Sequence, residues 1–207
     1  MTELAFSGIG MNPHFGTPGC ALDKTRIRGG SSSGSAVAVA ENLACAAIGS
    51  DTGGSVRIPA SFNSLVGLKT TNVYLSTEGC IPLSTTLDTL GPITKTIDDA
   101  WLLYVVMKGQ AFEQLEPPKH SLKFLLPTTL VLNDMDNEVA MAFEETCKRL
   151  EQAGHHLTRQ AVPEFQTIFE LYAQYGSFAS HESLALFEDM LEQRGDVGIE
   201  AAYAPAA

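Results

Sequence analysis

Two short bursts of glycine and serine, GGSSSGS at 29–35 and SDTGGS at 50–55, stand on either side of one stretch of small and apolar residues. Ordering a glycine costs more backbone entropy than ordering any other residue, so such clusters are kept where the chain must bend sharply or approach something closely. A fold that retains both must bring two tight loops to a common target. The intervening residues predict how: Ala36, Val37, Ala38, Val39, Ala40, Leu43, Ala44 and Ala47 suit a helix over 34–47 buried nearly all round, with Ser33 or Ser35 available as its N-terminal cap. AAIGS then reads as a short buried strand leading into the second cluster.

The rest of the chain alternates between the two regular structures. Residues 1–30, rich in Gly, Pro and Asn, read as loop with one short helix. IPASFNSLV reads as a helix with Pro59 in its first turn, and GLKTT as a strand. TKTIDDAWLLYVVMKG carries a full set of helix signals: Thr96 as N-cap, Asp98 and Asp99 at the positive end of the dipole, and Gly109 as the stop. PPKHS at 117–121 is a connector, LKFLLP a strand, and DNEVAMAFEETCKRLEQAG an amphipathic helix with Val139, Phe143, Cys147 and Leu150 at helical spacing, ending at Gly154. HHLTRQAVP predicts a strand, residues 164–194 one or two amphipathic helices, and EAAYAPAA a short tail. The expected class is α/β, with a mixed central β-sheet layered between α-helices.

Charge and cysteine usage narrow the functional classes. The formal net charge is −11, and it is uneven: residues 1–110 carry 7 basic and 8 acidic side chains, residues 111–207 carry 6 and 16. A nucleic-acid binder needs a basic face, so nucleic acid is not an expected partner. No segment approaches the ~18 apolar residues of a membrane span, and the N-terminus lacks the basic start and apolar run of a signal peptide. Cys20, Cys45, Cys80 and Cys147 are widely spaced, without a C-x-x-C pair or a histidine cluster. That spacing predicts reduced thiols, no metal site and a cytoplasmic location.

Three chemistries could use glycine-serine loops. A phosphate cradle is disfavoured because neither G-x-x-x-x-G-K-[ST] nor G-x-G-x-x-G occurs. Gly30, Ser32 and Gly34 satisfy the G-x-S-x-G of a nucleophile elbow, but that motif follows a buried apolar strand and here it follows the charged DKTRIR. The third possibility joins both clusters in one site. In SDTGGS, the backbone N–H groups of Thr52, Gly53, Gly54 and Ser55 can turn toward one point, as an oxyanion hole requires, with the Ser55 hydroxyl placed to attack. A serine needs a base within hydrogen-bond reach, and His14, His120, His155, His156 and His181 sit in no recognisable active-site context. A second serine acting as proton relay fits the double cluster better.

GGSSSGSAVAVA, GSDTGGSVRIPASF, VGLKTT and PLSTTLDTLGPITKTIDDA, in that order, resemble the core of the amidase signature family. The resemblance implies hydrolysis of a linear amide through a Ser–cis-Ser–Lys triad and an acyl-enzyme, with a small-molecule amide as substrate and no metal or organic cofactor. Matched residue by residue, Ser55 corresponds to the nucleophile, Ser31 to the serine that carries the cis peptide bond, and Thr52, Gly53 and Gly54 to the oxyanion loop. Ser32, Ser33 and Ser35 are left as capping and loop-bonding residues. Asp51 is a candidate for orienting the loop through backbone hydrogen bonds. Arg57 is expected in a structural ion pair rather than on a substrate carboxylate, Lys69 against carbonyls or an acid at the core edge, and Trp101 in packing.

The sequence also departs from the family pattern. The family's catalytic lysine lies much further upstream of the cis-serine than the 30 residues before Ser31; neither Lys24 nor Lys69 matches its place. Arg28 stands where a proline often precedes the double glycine, and Cys20 where asparagine is common. These features imply a partial amidase signature domain over 1–207, with a Gly/Ser-rich catalytic core at 1–110 and an incomplete continuation at 111–207. The expectations are little or no activity in the isolated chain and homo-oligomeric association through exposed core surface. Two alternatives accompany the hydrolase reading. One is the amidase subunit of a glutamine-dependent tRNA amidotransferase, whose RQPA after the nucleophile is RIPA here; the other is a non-catalytic degenerate fragment.

Overall fold

The first glycine-serine cluster runs directly into helix α1, Ser33–Ala40, in a computed structural model that describes residues 1–193. The helix is shorter than its composition suggests because Asn42 adopts a left-handed conformation (φ 62°) just past its end. That turn leaves Leu43 77% exposed, while Ala36, Val37 and Val39 are buried as expected. None of the serines caps α1 through its side chain: the N-cap residue Ser32 makes no side-chain capping bond, and Ser35 Oγ donates instead to the Ile48 carbonyl (3.0 Å).

Strand β1, Ala47–Asp51, follows and ends at the second cluster. Helix α2, Arg57–Phe62, then returns to the short strand β2, Val66–Gly67. Strand β3, Thr89–Thr94, lies between β1 and β2 and is antiparallel to both, in the register Gly49↔Gly91 and Gly67↔Ile93. Local sequence gives no hint of β3, because Gly91 and Pro92 in TLGPIT argue against a central strand. It is tolerated because the Pro92 carbonyl accepts from Leu68 N (3.1 Å) on the β2 side. Pro92 has no N–H to return that bond, so the pairing stops there and the strand expected over GLKTT shrinks to Val66–Gly67.

Helix α1 and the helix after β3, α3 (Ile97–Met107), pack on β3, and α2 packs on β2. Their shared core is Ala36, Val56, Ala60 and Ile93, with Leu65 against it. Helix α3, Ile97–Met107, carries the cap read from the sequence: Thr96 Oγ1 accepts from Asp99 N (3.1 Å), and Gly109 takes a left-handed turn (φ 66°) after the last turn.

The described residues divide into two units. Met1–Leu115, together with residues 177–193, forms the first; Glu116–Gly176 forms the second. The second unit holds β4 (Lys123–Pro127), α4 (Asn137–Gln152), β5 (His156–Gln160) and α5 (Pro163–Tyr175). β4 and β5 pair in parallel, which requires the intervening α4 as crossover, and α4 packs on β5. Residues 164–193 contain two helices, because Gly176 (φ 81°) separates α5 from α6, Phe178–Gln193. Residue 194 and the tail EAAYAPAA lie outside the described residues. The class is α/β as expected, with the strands among the described residues in two small sheets, one antiparallel and one parallel.

Ile93 is fully buried at the centre of the first core. Ile93→Ala should destabilise the chain by about 2–5 kcal/mol in denaturant unfolding. A loss below about 0.5 kcal/mol would show that β3 is not the spine of this unit.

Candidate active site

The two glycine-serine clusters meet backbone to backbone. Ser32 N donates to the Ser55 carbonyl (3.2 Å), and the Ser32 hydroxyl bridges to Ser50, donating to its carbonyl and accepting from its amide, each at 3.2 Å. This contact explains one glycine of the region directly: a Cβ at Gly49 would lie 2.6 Å from Ser32 Oγ. Ser31, Ser32 and Ser33 are all buried, Ser31 and Ser33 completely. The Gly30–Ser31 peptide is cis. Ser31 is held through its backbone, its carbonyl accepting from Thr2 N (3.0 Å), while its Oγ is buried without a hydrogen-bond partner among the described residues. Ser55, 24 positions further along the chain, is brought to this cluster by the fold and is itself buried (8% exposed).

Asp51 organises the second loop. Its side chain is fully buried; Oδ1 accepts from Gly54 N (2.8 Å), and Oδ2 from Val56 N (3.1 Å) and Arg57 N (3.4 Å). The Arg57 guanidinium closes the arrangement with a two-point contact, Nε to Oδ2 and Nη2 to Oδ1, both 3.0 Å. Burial pushes the Asp51 carboxyl up, but the Arg57 guanidinium and the amides of Val56 and Gly54 outweigh it and hold the group below its ordinary value. The same pairing raises Arg57 above its ordinary value. Asp51 is thus the loop-orienting carboxylate and Arg57 its ion-pair partner, as the residue types suggested. Gly54 makes the turn around Asp51 with φ 132°, a conformation that side chains rarely adopt.

The two departures from the family pattern are built into the support of the first loop. Arg28 is 2% exposed; Nη1 donates to the Pro18 carbonyl and Nη2 to the Gly10 carbonyl, and burial lowers its pKa. Cys20 is buried and its thiol donates to the Phe62 carbonyl (3.1 Å). Asn63, also buried, ties the same region together by donating to the Arg28 and Pro59 carbonyls (2.9 and 2.8 Å). Lys69 Nζ donates to the Thr70 carbonyl (2.9 Å), and Trp101 Nε1 to the Glu113 carbonyl (2.6 Å).

Sequence reasoning left a carboxylate beside the second loop without a role. Asp88, within LDTLGP, accepts from the Thr52 hydroxyl through Oδ1 and from the amides of Leu83 (2.8 Å) and Ser84 (3.0 Å) through Oδ2. Its place in that motif is the only signal for it, since nothing in the spacing links position 88 to position 52. Beside it lies a cavity of about 120 Å³, lined among others by Ser50, Cys80, Leu83, Thr85 and Asp88.

Because the folded-state pKa of Asp51 is depressed, its contribution to stability is present above the unfolded carboxylate range near ~3.9 and is lost as pH falls through the lower folded value. Wild type should therefore exceed Asp51→Asn in unfolding free energy at pH 7, with the gap closing below about pH 4. Denaturant titrations at about pH 7 and about pH 3 check this; an equal gap at both would show that the ionised carboxylate is not what holds the loop.

The same geometry has relatives among known proteins. The family model described as Amidase matches residues 1–203. The chain is 37% identical over 183 residues to a 2-amino-5-chloromuconic acid deaminase of Comamonas testosteroni, covering 86% of this chain and 40% of that protein. It is 35% identical over 201 residues to a glutamyl-tRNA(Gln) amidotransferase subunit of Helicobacter pylori (strain P12), covering 90% and 42%. Among solved structures, one described as an amidase superposes with a TM-score of 0.87 at 32% identity, over 98% of this chain and 45% of the other. The corresponding glutamyl-tRNA(Gln) amidotransferase subunit of Thermotoga maritima gives 0.77 at 30%, over 97% and 48%. The chain spans less than half the length of these relatives. With the family model matched along nearly the whole chain, this protein belongs to the amidase family.

Proposed function

We propose that this chain carries the acyl-transfer half of an amidase site, in which Ser55 attacks the carbonyl of a linear amide and Ser31 relays its proton. The observation that carries the reading is the junction of the two clusters, Ser32 N to the Ser55 carbonyl, next to a Ser31 hydroxyl that is buried and unpartnered among the described residues. A buried hydroxyl without a partner is costly, and such groups in folded proteins call for a functional explanation. In this reading Ser55 Oγ bonds to the carbonyl carbon as the carbonyl π pair moves to oxygen, and Ser31 takes the Ser55 proton while handing its own to a neutral amine base. Collapse of the tetrahedral species returns that proton through Ser31 to the leaving nitrogen, expels the amine and leaves the acyl-enzyme. Water then adds to the acyl carbon, giving up a proton along the same path, and the bond to Ser55 Oγ breaks as that proton returns to Oγ and the acid is released.

The developing oxyanion would be met by the amides of Thr52, Gly53 and Ser55, none of which is engaged by the Asp51 side chain. Gly54 contributes the turn rather than a donor, because its N–H is held by Asp51. The relay needs a base beyond Ser31. Lys24 is paired with Glu41, Lys95 with Asn42, and Lys69 with a backbone carbonyl. We therefore propose that the 207-residue chain by itself hydrolyses amides slowly, since the serine pair has no engaged base among the described residues.

The deaminase and the amidotransferase subunit match this chain almost equally, so neither substrate is transferred to it. RIPA at 57–60 in place of RQPA supports the stand-alone hydrolase over the amidotransferase role. No helix among the described residues is long and apolar enough to cross a membrane. The wide spacing of Cys20, Cys45, Cys80 and Cys147, without a C-x-x-C pair, is what supports the reading of a reducing, cytoplasmic setting. Exposed Phe15, Leu43, Val73 and Ile81 support self-association through apolar surface.

A fluorophosphonate probe, read by intact mass and peptide mapping, tests the assignment. Slow labelling confined to Ser55 and abolished in Ser55→Ala is expected, with Ser31→Ala within about threefold of wild type, because a relay without its base adds little. Labelling at another serine would sink the nucleophile assignment. Ready turnover of a simple amide by the wild-type chain, lost in Ser55→Ala, would instead refute the proposal that its base is missing.

A further inference from the structure

We propose that Asp88 is a positioning residue for the loop that carries Ser55, acting through the side chain of Thr52. The inference rests on the reading of residues 52–55 as the acyl-transfer loop. Asp51 holds that loop from inside, through Gly54, Val56 and Arg57, but it makes no bond to Thr52 or Gly53 by its side chain. The outer shoulder of the loop is tied elsewhere, by the Thr52 hydroxyl donating to Asp88 Oδ1.

Asp88 is well suited to this task because its second oxygen is fixed independently. Oδ2 accepts from Leu83 N and Ser84 N, while the amide of Asp88 donates to the Ser84 carbonyl (2.9 Å), so residues 83–88 form a closed turn. Leu83 and Ser84 are buried. The turn is itself anchored to α6, where Glu182 accepts from the Ser84 hydroxyl, the Thr86 hydroxyl and Thr86 N (3.1 Å). The hydrogen bonds from Ser84 and Thr86 hold the Glu182 carboxyl below its ordinary value. A continuous path of hydrogen bonds thus runs from Glu182 through Ser84 and Asp88 to Thr52.

The path also limits what Thr52 can do. A threonine hydroxyl has one proton, and here it goes to Asp88, so Thr52 serves the reaction through its backbone amide rather than as a hydroxyl donor to substrate. Asp88 sets the placement of that amide and of Gly53 after it. Errors of about 1 Å in a reacting group's surroundings can cost up to roughly a hundredfold in rate.

A double-mutant cycle on the 207-residue chain tests this, with the second-order rate of fluorophosphonate labelling at Ser55 as the readout. Asp88→Ala and the near-isosteric Thr52→Val should each slow labelling by on the order of tenfold, and the double variant by about the same tenfold, since each removes the same bond. Additive losses near roughly a hundredfold, or an Asp88→Ala rate equal to wild type, would overturn the proposal. Hydrogen–deuterium exchange of the same proteins separates this inference from the nucleophile assignment. In Asp88→Ala, exchange should accelerate in residues 51–56 while α3 keeps its protection. If wild type is not labelled at Ser55 at all, the proposed function fails, and exchange alone decides the role of Asp88: unchanged protection of residues 51–56 overturns it. Should Asp88→Ala fail to fold, Thr52→Val breaks the same bond from the other side and gives the same two readouts.

Discussion

The ion pair between Asp51 and Arg57, with the amides gathered around the same carboxylate, is the interaction on which the rest of the site depends. A fully buried carboxylate is costly unless its charge is paired and its lone pairs are hydrogen-bonded, and here both conditions are met. The consequence is geometric: three backbone amides and a guanidinium converge on two oxygens, and the chain from β1 into α2 has little freedom left. Ser55 lies inside that turn, so its position follows from the arrangement around Asp51 together with the bond its carbonyl accepts from Ser32 N.

The sheet supplies the second constraint. β3 lies between β1 and β2, and Ile93 on it packs with Ala36 of α1, Ala60 of α2 and Val56. Val56 belongs to this core and follows Ser55 directly, so the hydrophobic core and the Asp51 cluster both fix the same segment. The first loop is then fitted against the second by Ser32, whose amide and hydroxyl reach Ser55 and Ser50. Where Arg28 and Cys20 depart from the family pattern, both are buried and bonded to backbone carbonyls. The departures are thus absorbed into the support of the loop.

Membership of the amidase family and similarity to proteins of unlike substrate sit together without conflict. In the proposed function, loops 29–35 and 50–55 hold the carbonyl and the nucleophile that any amide hydrolysis needs, whereas the choice between one amide and another depends on contacts with the remainder of the substrate. That separation of shared chemistry from substrate choice is common among folds that host several activities.

The sequence by itself determined the local structure wherever the signal was local. The cap at Thr96, the stop at Gly109, the amphipathic α4 and the strand at Lys123–Pro127 were all legible, because capping and periodicity act within one or two turns of chain. The glycine-serine clusters also announced two tight loops. Only the tertiary structure decided how those loops meet, because no spacing rule connects Ser32 to Ser50 and Ser55, or Thr52 to Asp88. It also decided that TLGPIT is a central strand: local propensity opposes Gly91 and Pro92 there, and the pairing succeeds only because Pro92 turns its carbonyl, and not a missing N–H, to the one bond Leu68 makes beyond β2.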